Sequence, residues 1–312
     1  MIALNRFLKS DTDLNTHFKT LFKNFFLVFA AFIILFSFAG SVNAITDEAS
    51  FRTAITDGGT ITLTGQTIML TYADGGSPST AIVINKDIIL TGDGTIQVIG
   101  DFRHFSVSSG VTFTLDDKVT LTHINPDEDG GGVYVSHGGT FNMKGGKISG
   151  NSYTYSGSDT PASGGGGVLN FGTFTMTGGT ISDNTVTGDH SSWPVGAGGG
   201  VFNVGTFTLV DGEISKNTAE GATQWQTPGG AGGGVFNIGI FNMEGGKISD
   251  NDVNRYGGGV ANAGTFTLTG GEINTNAALW DTLNNPLGAG GGVYNNGTFL
   301  MNSGMISSNE VD

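Results

Sequence analysis

Six imperfect copies of one glycine-rich motif lie between about Gly130 and Asn309, and this repetition constrains the fold more than any other feature of the chain. In every copy an isoleucine follows a phenylalanine by seven residues, giving the pairs Phe141–Ile148, Phe174–Ile181, Phe207–Ile214, Phe241–Ile248, Phe266–Ile273 and Phe299–Ile306. Each copy starts at a valine: Val133, Val168, Val201, Val235, Val260 or Val293. Such constant spacing indicates a structural unit repeated along one axis.

Apolar and polar residues alternate around each phenylalanine, as in Thr173-Phe174-Thr175-Met176. Because successive strand side chains point to opposite faces, Phe174 and Met176 are expected to face inward. A strand this short buries its apolar face only by stacking on the next copy, with about 4.8 Å of axial rise per coil. We therefore predict an all-β fold: a single right-handed parallel β-helix with coils of three short strands.

Glycine and asparagine recur where each coil should turn. Glycine pairs precede four of the isoleucines, at Gly145-Gly146, Gly178-Gly179, Gly245-Gly246 and Gly270-Gly271. Asparagine follows the valine by two residues (Asn170, Asn203, Asn237, Asn262, Asn295) and the isoleucine by three (Asn151, Asn184, Asn217, Asn251, Asn276, Asn309). Amides stacked at a corner can hydrogen-bond along the axis, so we interpret both series as structural ladders.

The six repeats occupy residues 130–312, and residues 45–129 are predicted to form an N-terminal cap and three less regular coils. Asp47 to Ile55 has the pattern of a short amphipathic helix that would cover the first coil and hide its open strand edge. No comparable cap follows Asn309. An open edge can template pairing, so we expect either a longer solenoid or end-to-end self-association with another molecule.

Residues 1–44 have the pattern of a secretory signal peptide. Four basic residues precede an apolar run from Phe25 to Ala39, and Val42-Asn43-Ala44 supplies small residues for cleavage. We predict cleavage after Ala44, which leaves no membrane span; an uncleaved anchor is the alternative. Either outcome places the remainder outside the cytoplasm, extracellular or at the cell surface.

Composition limits the partners and the chemistry. The formal net charge is −14, and such a surface repels nucleic-acid phosphates, so no nucleic-acid partner is expected. The chain has no cysteine, which excludes disulfides and thiolate metal sites.

Two stretches carry a family resemblance. A helix followed by Gly59-Thr60-Ile61-Thr62-Leu63 and by Ile88-Ile89-Leu90-Thr91-Gly92-Asp93-Gly94-Thr95-Ile96 resembles the start of many secreted right-handed β-helices. The Gly-Gly-Gly-Val and Gly-Thr-Phe-Thr-Met-Thr-Gly-Gly-Thr-Ile-Ser segments resemble adhesin-like repeat proteins of microbes and, more distantly, polymorphic outer-membrane proteins. This resemblance covers about Ile45 to Asn309 and implies a parallel β-helix.

Enzymatic β-helices carry acids and bases on an outward strand face, and few residues here fit that pattern. The positions before each isoleucine and two after it alternate in sign between copies, so Glu213, Lys247 and Glu272 can pair, as can Asp183, Lys216 and Asp250. Arg103-His104 near Asp101 could serve acid–base chemistry, although we favour ordinary surface positions. A polysaccharide-active lyase or glycoside hydrolase with its site between Asp93 and Asp129 is therefore the alternative function, and an enzyme is not our first expectation.

Two acidic clusters are candidate calcium sites, namely Asp116-Asp117 and Asp127-Glu128-Asp129. Ca²⁺ prefers several hard oxygen ligands, but adjacent loop acids are more often solvated, and we favour that interpretation. His123 and His137 show no metal-ligand spacing. No other cofactor is implied.

The stretch from each isoleucine to the next valine varies from 12 to 21 residues, so it is the loop. All three tryptophans lie in these loops, with three tyrosines: Trp193, Trp225, Trp280, Tyr153, Tyr155 and Tyr256. Since each loop should leave the same corner of its coil, we predict one aromatic edge that binds a glycan or a surface protein. The alternative is that each ring folds back on its own loop.

The leading functional hypothesis is therefore a non-enzymatic, adhesin-like binding protein. A third hypothesis, ice binding, comes from outward threonines in Thr173-x-Thr175, Thr206-x-Thr208 and Thr265-x-Thr267. Asn142, Ile240, Asn242 and Leu300 interrupt this ladder, and the strand preference of threonine explains the rest.

Overall fold

A computed structural model describes residues 44–71, 81–125, 130–155, 164–188, 197–221, 230–279 and 289–311. The chain divides into the units Met1–Ala44 and Ile45–Asp312, and every described residue except Ala44 belongs to the second. The predicted signal peptide lies outside the described residues apart from Ala44 itself. One helix, α1 (Glu48–Asp57), precedes thirty strands that pair only in parallel among the described residues.

The strands stack in four ladders, named here by the residue that recurs in each. The Val ladder comprises β3 (Ile82–Ile84), β6 (Phe105–Val107), β9 (Val133–Val135), β13 (Val168–Asn170), β16 (Val201–Asn203), β19 (Val235–Asn237), β23 (Val260–Asn262) and β27 (Val293–Asn295). The Phe ladder comprises β1 (Gly59–Leu63), β4 (Ile88–Gly92), β7 (Thr112–Leu115), β10 (Thr140–Met143), the first halves of β14 (Thr173–Ser182) and β17 (Thr206–Ser215), β20 (Ile240–Met243), β24 (Thr265–Leu268) and β28 (Thr298–Met301).

The remaining two ladders complete each coil. The Ile ladder comprises β2 (Thr67–Thr71), β5 (Thr95–Ile99), β8 (Thr120–His123), β11 (Lys147–Ser149), the second halves of β14 and β17, β21 (Lys247–Ser249), β25 (Glu272–Asn274) and β29 (Met305–Ser307). The short ladder comprises β12 (Ser152–Tyr155), β15 (Thr185–Gly188), β18 (Thr218–Glu220), β22 (Asp252–Val253), β26 (Ala277–Ala278) and β30 (Glu310–Val311).

Paired strands lie one coil apart, which makes the fold a parallel β-helix, as predicted. The Phe ladder counts nine coils in the described part, numbered here 1 to 9 from the N-terminal end. The strands form three sheets, because β14 and β17 join the Phe and Ile ladders. Coils 2, 3, 5 and 6 have three strands each, as predicted, whereas coils 4, 7, 8 and 9 have four. The strands of the short ladder were not predicted, because two to four residues are too few to show a period.

A stack of phenylalanine rings fills the core. Consecutive rings from Phe113 to Phe299 lie 4.6–5.3 Å apart, and their planes differ by 3–16°. This spacing is the strand spacing of the sheet, so the backbone sets the ring separation. The predicted inward residues Phe174 and Met176 are completely buried, as are their counterparts in coils 4 to 8.

Helix α1 closes the N-terminal end of this core. Asp47 accepts a hydrogen bond from the Ser50 backbone N–H, and the Ser50 side chain accepts one from the Asp47 backbone N–H, so the helix begins with a capping box. Phe51 and Ile55 are buried against the first coils, which confirms the predicted cap. In coil 9, by contrast, Met301 and Val311 are 45% and 51% exposed.

Asparagine ladders run along two corners of the coil, as the spacing predicted. After the Ile ladder, each side-chain amide donates to the carbonyl oxygen of the next asparagine, with Asn184 Nδ2 2.9 Å from Asn217 Oδ1. The Asn184 backbone N–H also donates to Asn217 Oδ1, and Asn217 Nδ2 donates to the Ile181 carbonyl. After the Val ladder, amides from Asn170 to Asn295 are linked at 2.7 Å. Each buried amide is therefore satisfied by its neighbours.

Replacing Asn217 with alanine should lower the free energy of unfolding by about 2–4 kcal/mol, because two buried donors of Asn184 lose their acceptor. Chemical denaturation measures the change. Asn242→Ala is the matched control, because Asn242 lies in the outward position of β20 and is only partly buried. This change should lower the free energy of unfolding by no more than about 0.5 kcal/mol. Equal effects in both variants would contradict a structural ladder.

The turn after the Ile ladder differs from the prediction. Asp183, Lys216, Asp250, Thr275 and Ser308 were expected to face outward from a strand, but their φ values of 52–57° place them in the left-handed region. The strand thus ends one residue earlier, and Gly150 holds the same position with φ 65°. Threonine is β-branched and disfavours this conformation, so Thr275 is the strained member of the series.

Asparagine tolerates the left-handed region better than threonine, so Thr275→Asn should raise stability by about 1 kcal/mol and increase the melting temperature. Differential scanning calorimetry measures the shift. Thr267→Asn, in the regular strand β24, removes a β-branched residue where it is favoured and should give no gain. A gain in the second variant alone would contradict strain at Thr275.

Candidate ligand-binding edge

The described residues that flank the loops of coils 5, 6 and 8 lie on one edge of the solenoid. Their first residues follow β15, β18 and β26, which stack in the short ladder. Their last residues meet in a ladder of parallel bridges, Ala197↔Ala231, Ala231↔Tyr256 and Tyr256↔Ala289. The prediction that successive loops leave the same corner of the coil is therefore confirmed at the loop bases.

The predicted aromatic residues fall partly within the described structure. Trp193, Trp225 and Trp280 lie outside the described residues. Tyr153 and Tyr155 belong to β12, and Tyr256 lies at the loop base in the bridge ladder. The structure thus places three of the six predicted residues along the edge, in coil 4 and between coils 7 and 8.

Tyr153 lies beside a buried cation. The Arg103 guanidinium is 5.1 Å from the centre of the Tyr153 ring, and it donates to the carbonyl oxygens of Gly164 and Gly165 at 2.6 and 2.8 Å. Burial lowers the pKa of Arg103 to about 10. Since Gly164 is the first described residue after the loop of coil 4, Arg103 fixes the base of that loop. The expectation of a surface position for Arg103 was wrong.

Tyr256 stacks on a second tyrosine. The rings of Tyr256 and Tyr294 lie 4.5 Å apart, and the Arg255 guanidinium is 5.4 Å from the Tyr256 ring centre. Both tyrosines are partly buried. The arrangement matches neither prediction fully: Tyr256 packs on another coil rather than on its own loop, yet part of its surface remains accessible.

A second apolar cluster lies outside the main core, between the Val ladder and the loop bases. It contains Leu169, Phe202 and Phe236 from the middle of Val-ladder strands and Ala197 and Ala231 from the bridge ladder. This cluster was not predicted from the sequence. The available signal was an apolar residue next to an inward valine, which breaks the alternation of a half-buried strand.

A cleft of about 210 Å³ interrupts this cluster at coil 8. Its lining includes Phe236, Tyr256, Ala261, Ala263, Tyr294 and Asn296. Tyr256 was predicted as a binding residue, whereas the remaining lining residues were not.

The histidine candidates are structural. His104 is completely buried, and its Nε2 and Nδ1 lie 3.0 and 3.5 Å from the carbonyl oxygens of Thr122 and Gly131. Burial lowers the pKa of His104 to about 3, and repulsion from His123 adds to this shift. The centres of the two rings lie 5.0 Å apart. His123 Nδ1 lies 2.9 Å from Asn151 Oδ1, at the first member of an asparagine ladder. A surface role for His104 is therefore wrong, and a neutral buried ring is poorly suited to acid–base work near pH 7.

The calcium candidates have separate outcomes. Asp127, Glu128 and Asp129 lie outside the described residues. Asp117 accepts hydrogen bonds from Thr91 Oγ1 at 2.5 Å and from the Gly92 backbone N–H, and these bonds lower its pKa. Among the described residues, no three histidine, aspartate or glutamate side chains are grouped to hold a metal ion.

The predicted charge ladder forms in register but not as ion pairs. Lys247 pairs in the sheet with Glu213 and Glu272, yet the ion pairs within 4.0 Å between described residues are Arg52–Glu48 and Lys147–Asp183. Glu213 Oε1 instead accepts from Ser249 Oγ at 3.3 Å. The pairing expected of Glu213, Lys247 and Glu272, and of Asp183, Lys216 and Asp250, was therefore wrong; the latter three lie in turns and not on the strand face.

The outward threonines align as the ice-binding hypothesis requires. Thr173, Thr206, Thr265 and Thr298 are in register, with Ile240 between Thr206 and Thr265. A second row lies two residues further along each strand. In it, Asn242 lies between Thr208 and Thr267, and Leu300 follows Thr267. The ladder is thus broken in the middle.

Comparisons with protein-family models, with curated proteins and with solved structures find no match to this chain. Within the described ranges, no helix has the length and apolar character needed to cross a membrane.

The depressed pKa of His104 predicts acid sensitivity. The unfolded state takes up a proton below pH 6.5 and the folded state does not until about pH 3, so stability falls as the pH drops through this window. For this one group the loss from pH 8 to pH 5 should be about 2 kcal/mol. Urea denaturation at several pH values should show a smaller loss in His104→Gln.

The control for this experiment is His137→Gln, which removes an exposed histidine in coil 4. It should keep the pH dependence of the unaltered protein. If His104→Gln loses as much stability between pH 8 and pH 5 as the unaltered protein, the assignment of a neutral buried His104 is wrong.

Proposed function

We propose that this chain is a secreted or cell-surface, adhesin-like binding protein that recognises a glycan or a protein through its loop edge. The observation that carries the proposal is the bridge ladder from Ala197 to Ala289, since it aligns successive loop bases on one edge. The three tryptophans lie in these loops by sequence, Tyr256 lies in the bridge ladder, and Tyr153 and Tyr155 lie in β12 of the neighbouring coil 4. Loops that vary in length and sequence on a rigid scaffold often carry binding residues.

The rest of the described coil offers fewer candidate residues for binding or catalysis. The Phe and Ile ladders place their apolar residues in the core, and their corner asparagines are satisfied by one another. Arg103, His104 and His123 are buried and bonded to backbone or ladder atoms, so the described part of residues 93–129 supports a structural role. An enzyme is therefore the weaker candidate.

The test replaces Trp193, Trp225 and Trp280 together with alanine. Fluorescently labelled protein is applied to a printed glycan array and to intact cells, and the unaltered protein is expected to bind one of them. Because tryptophan dominates many binding interfaces, the triple variant should bind at least about tenfold more weakly. Its melting temperature should stay unchanged, since the strands of the described ladders contain none of the three tryptophans.

A second triple variant, Thr175→Ala/Thr208→Ala/Thr267→Ala, is the matched control on the Phe ladder. It should bind as the unaltered protein does. Equal binding by both triple variants and the unaltered protein would overturn the loop-edge proposal. Ice-growth inhibition that is lost only in the threonine variant would favour ice binding instead. New reducing or unsaturated ends after incubation with acidic polysaccharides, with or without Ca²⁺, would favour an enzyme.

A further inference from the structure

Two columns of side chains cover the outer face of the Val ladder. The first takes the middle residue of each strand: Tyr134, Leu169, Phe202, Phe236, Ala261 and Tyr294. The second takes the residue three after each valine: Ser136, Phe171, Val204, Ile238, Ala263 and Asn296. In-register backbone hydrogen bonds hold both columns in line along the axis.

Coil 8 has smaller side chains than coil 7 in both columns. Ala261 and Ala263 stand where coil 7 has Phe236 and Ile238. The loop base shows the opposite change, because Tyr256 follows Ala197 and Ala231 in the bridge ladder. Tyr256, Ala261 and Ala263 all line the cleft of about 210 Å³.

The cleft is small. The rings of Tyr256 and Tyr294 stack with their centres 4.5 Å apart and form one apolar wall, and Ala261 and Ala263 leave the space beside them. The volume is also below the range of about 300–1,000 Å³ for drug-sized ligands, so it suits a single ring.

The lining combines ring faces with polar groups. Tyr256 and Tyr294 contribute phenols, and Asn296 contributes an exposed side-chain amide. The C–H face of a pyranose packs on aromatic rings while its hydroxyl groups pair with amides and phenols. A phenylalanine side chain from a protein partner would pack on the rings but make no hydrogen bond with the Asn296 amide. The net charge of −14 disfavours an acidic sugar.

We propose that this cleft binds one neutral pyranose ring of a glycan. This inference rests on the proposed binding function and gives it a ligand class and a second contact point beside the loops. The double variant Tyr256→Ala/Ala261→Phe tests it, because it reproduces in coil 8 the Ala231–Phe236 pair of coil 7 and fills the cleft with a combination the fold already uses.

The probes are the methyl glycosides of glucose, galactose and mannose, and binding is followed by saturation-transfer NMR and titration. The unaltered protein should bind at least one of them, and the double variant should bind it at least about tenfold more weakly with an unchanged melting temperature. Asn296→Ala keeps the apolar lining and should weaken binding several-fold. It provides an independent test if the double variant folds poorly.

Three results would overturn the proposal: no glycoside binds, binding survives in the double variant, or N-acetyltyrosinamide binds while the glycosides do not. The tryptophan triple variant separates the two proposals. It should retain glycoside binding in the cleft while losing attachment to the array or to cells. If it loses attachment and no glycoside binds the unaltered protein, the loop-edge function stands and the cleft proposal fails.

Discussion

The parallel register between coils is the constraint on which the rest of this structure depends. Each strand residue lies one strand spacing from its counterpart in the next coil, so Phe207 stacks on Phe174 and Asn217 bonds to Asn184. Identical side chains are favoured at such positions because each one satisfies the packing or hydrogen bonding of its neighbours. A slip of one residue would turn every inward phenylalanine to the outside. Repetition of the sequence therefore follows directly from repetition of the contacts.

The N-terminal coils show how this register begins without repetition. In coil 3, His123 stands where the asparagine ladder starts, with Nδ1 next to Asn151 Oδ1 and Nε2 3.0 Å from the Phe102 carbonyl oxygen. Arg103 and His104 occupy neighbouring buried positions and contact backbone carbonyls of coils 4 and 5. Buried polar groups of this kind are tolerated only when their partners are in place. Together they join the irregular coils to the regular ones.

Much of the fold was predictable because stacking imposes short, regular spacings. The inward phenylalanines, the corner glycines Gly146 and Gly179, the asparagine ladders and helix α1 all appear where the spacing placed them. The left-handed turn at Asp183 was not predictable, because aspartate, lysine, threonine and serine share that position and only Gly150 suggests positive φ. The burial of Arg103 and His104 was missed for a related reason, since charge and polarity favour the surface unless the tertiary partners are known.

The proposed binding edge could be predicted only in part from the sequence. Variable loop length showed where the coil can change, and the bridge ladder shows that the ends of the loops of coils 5, 6 and 8 are aligned. The cleft at coil 8 depends instead on a comparison across coils: Ala261 and Ala263 look ordinary in their own repeat and become unusual only beside Phe236 and Ile238. Within a stack, losing a large side chain in one coil leaves the neighbouring coils in place, because they remain bonded through the other ladders. A solenoid can therefore acquire a ring-sized site by shrinking one repeat, without moving the rest of the scaffold.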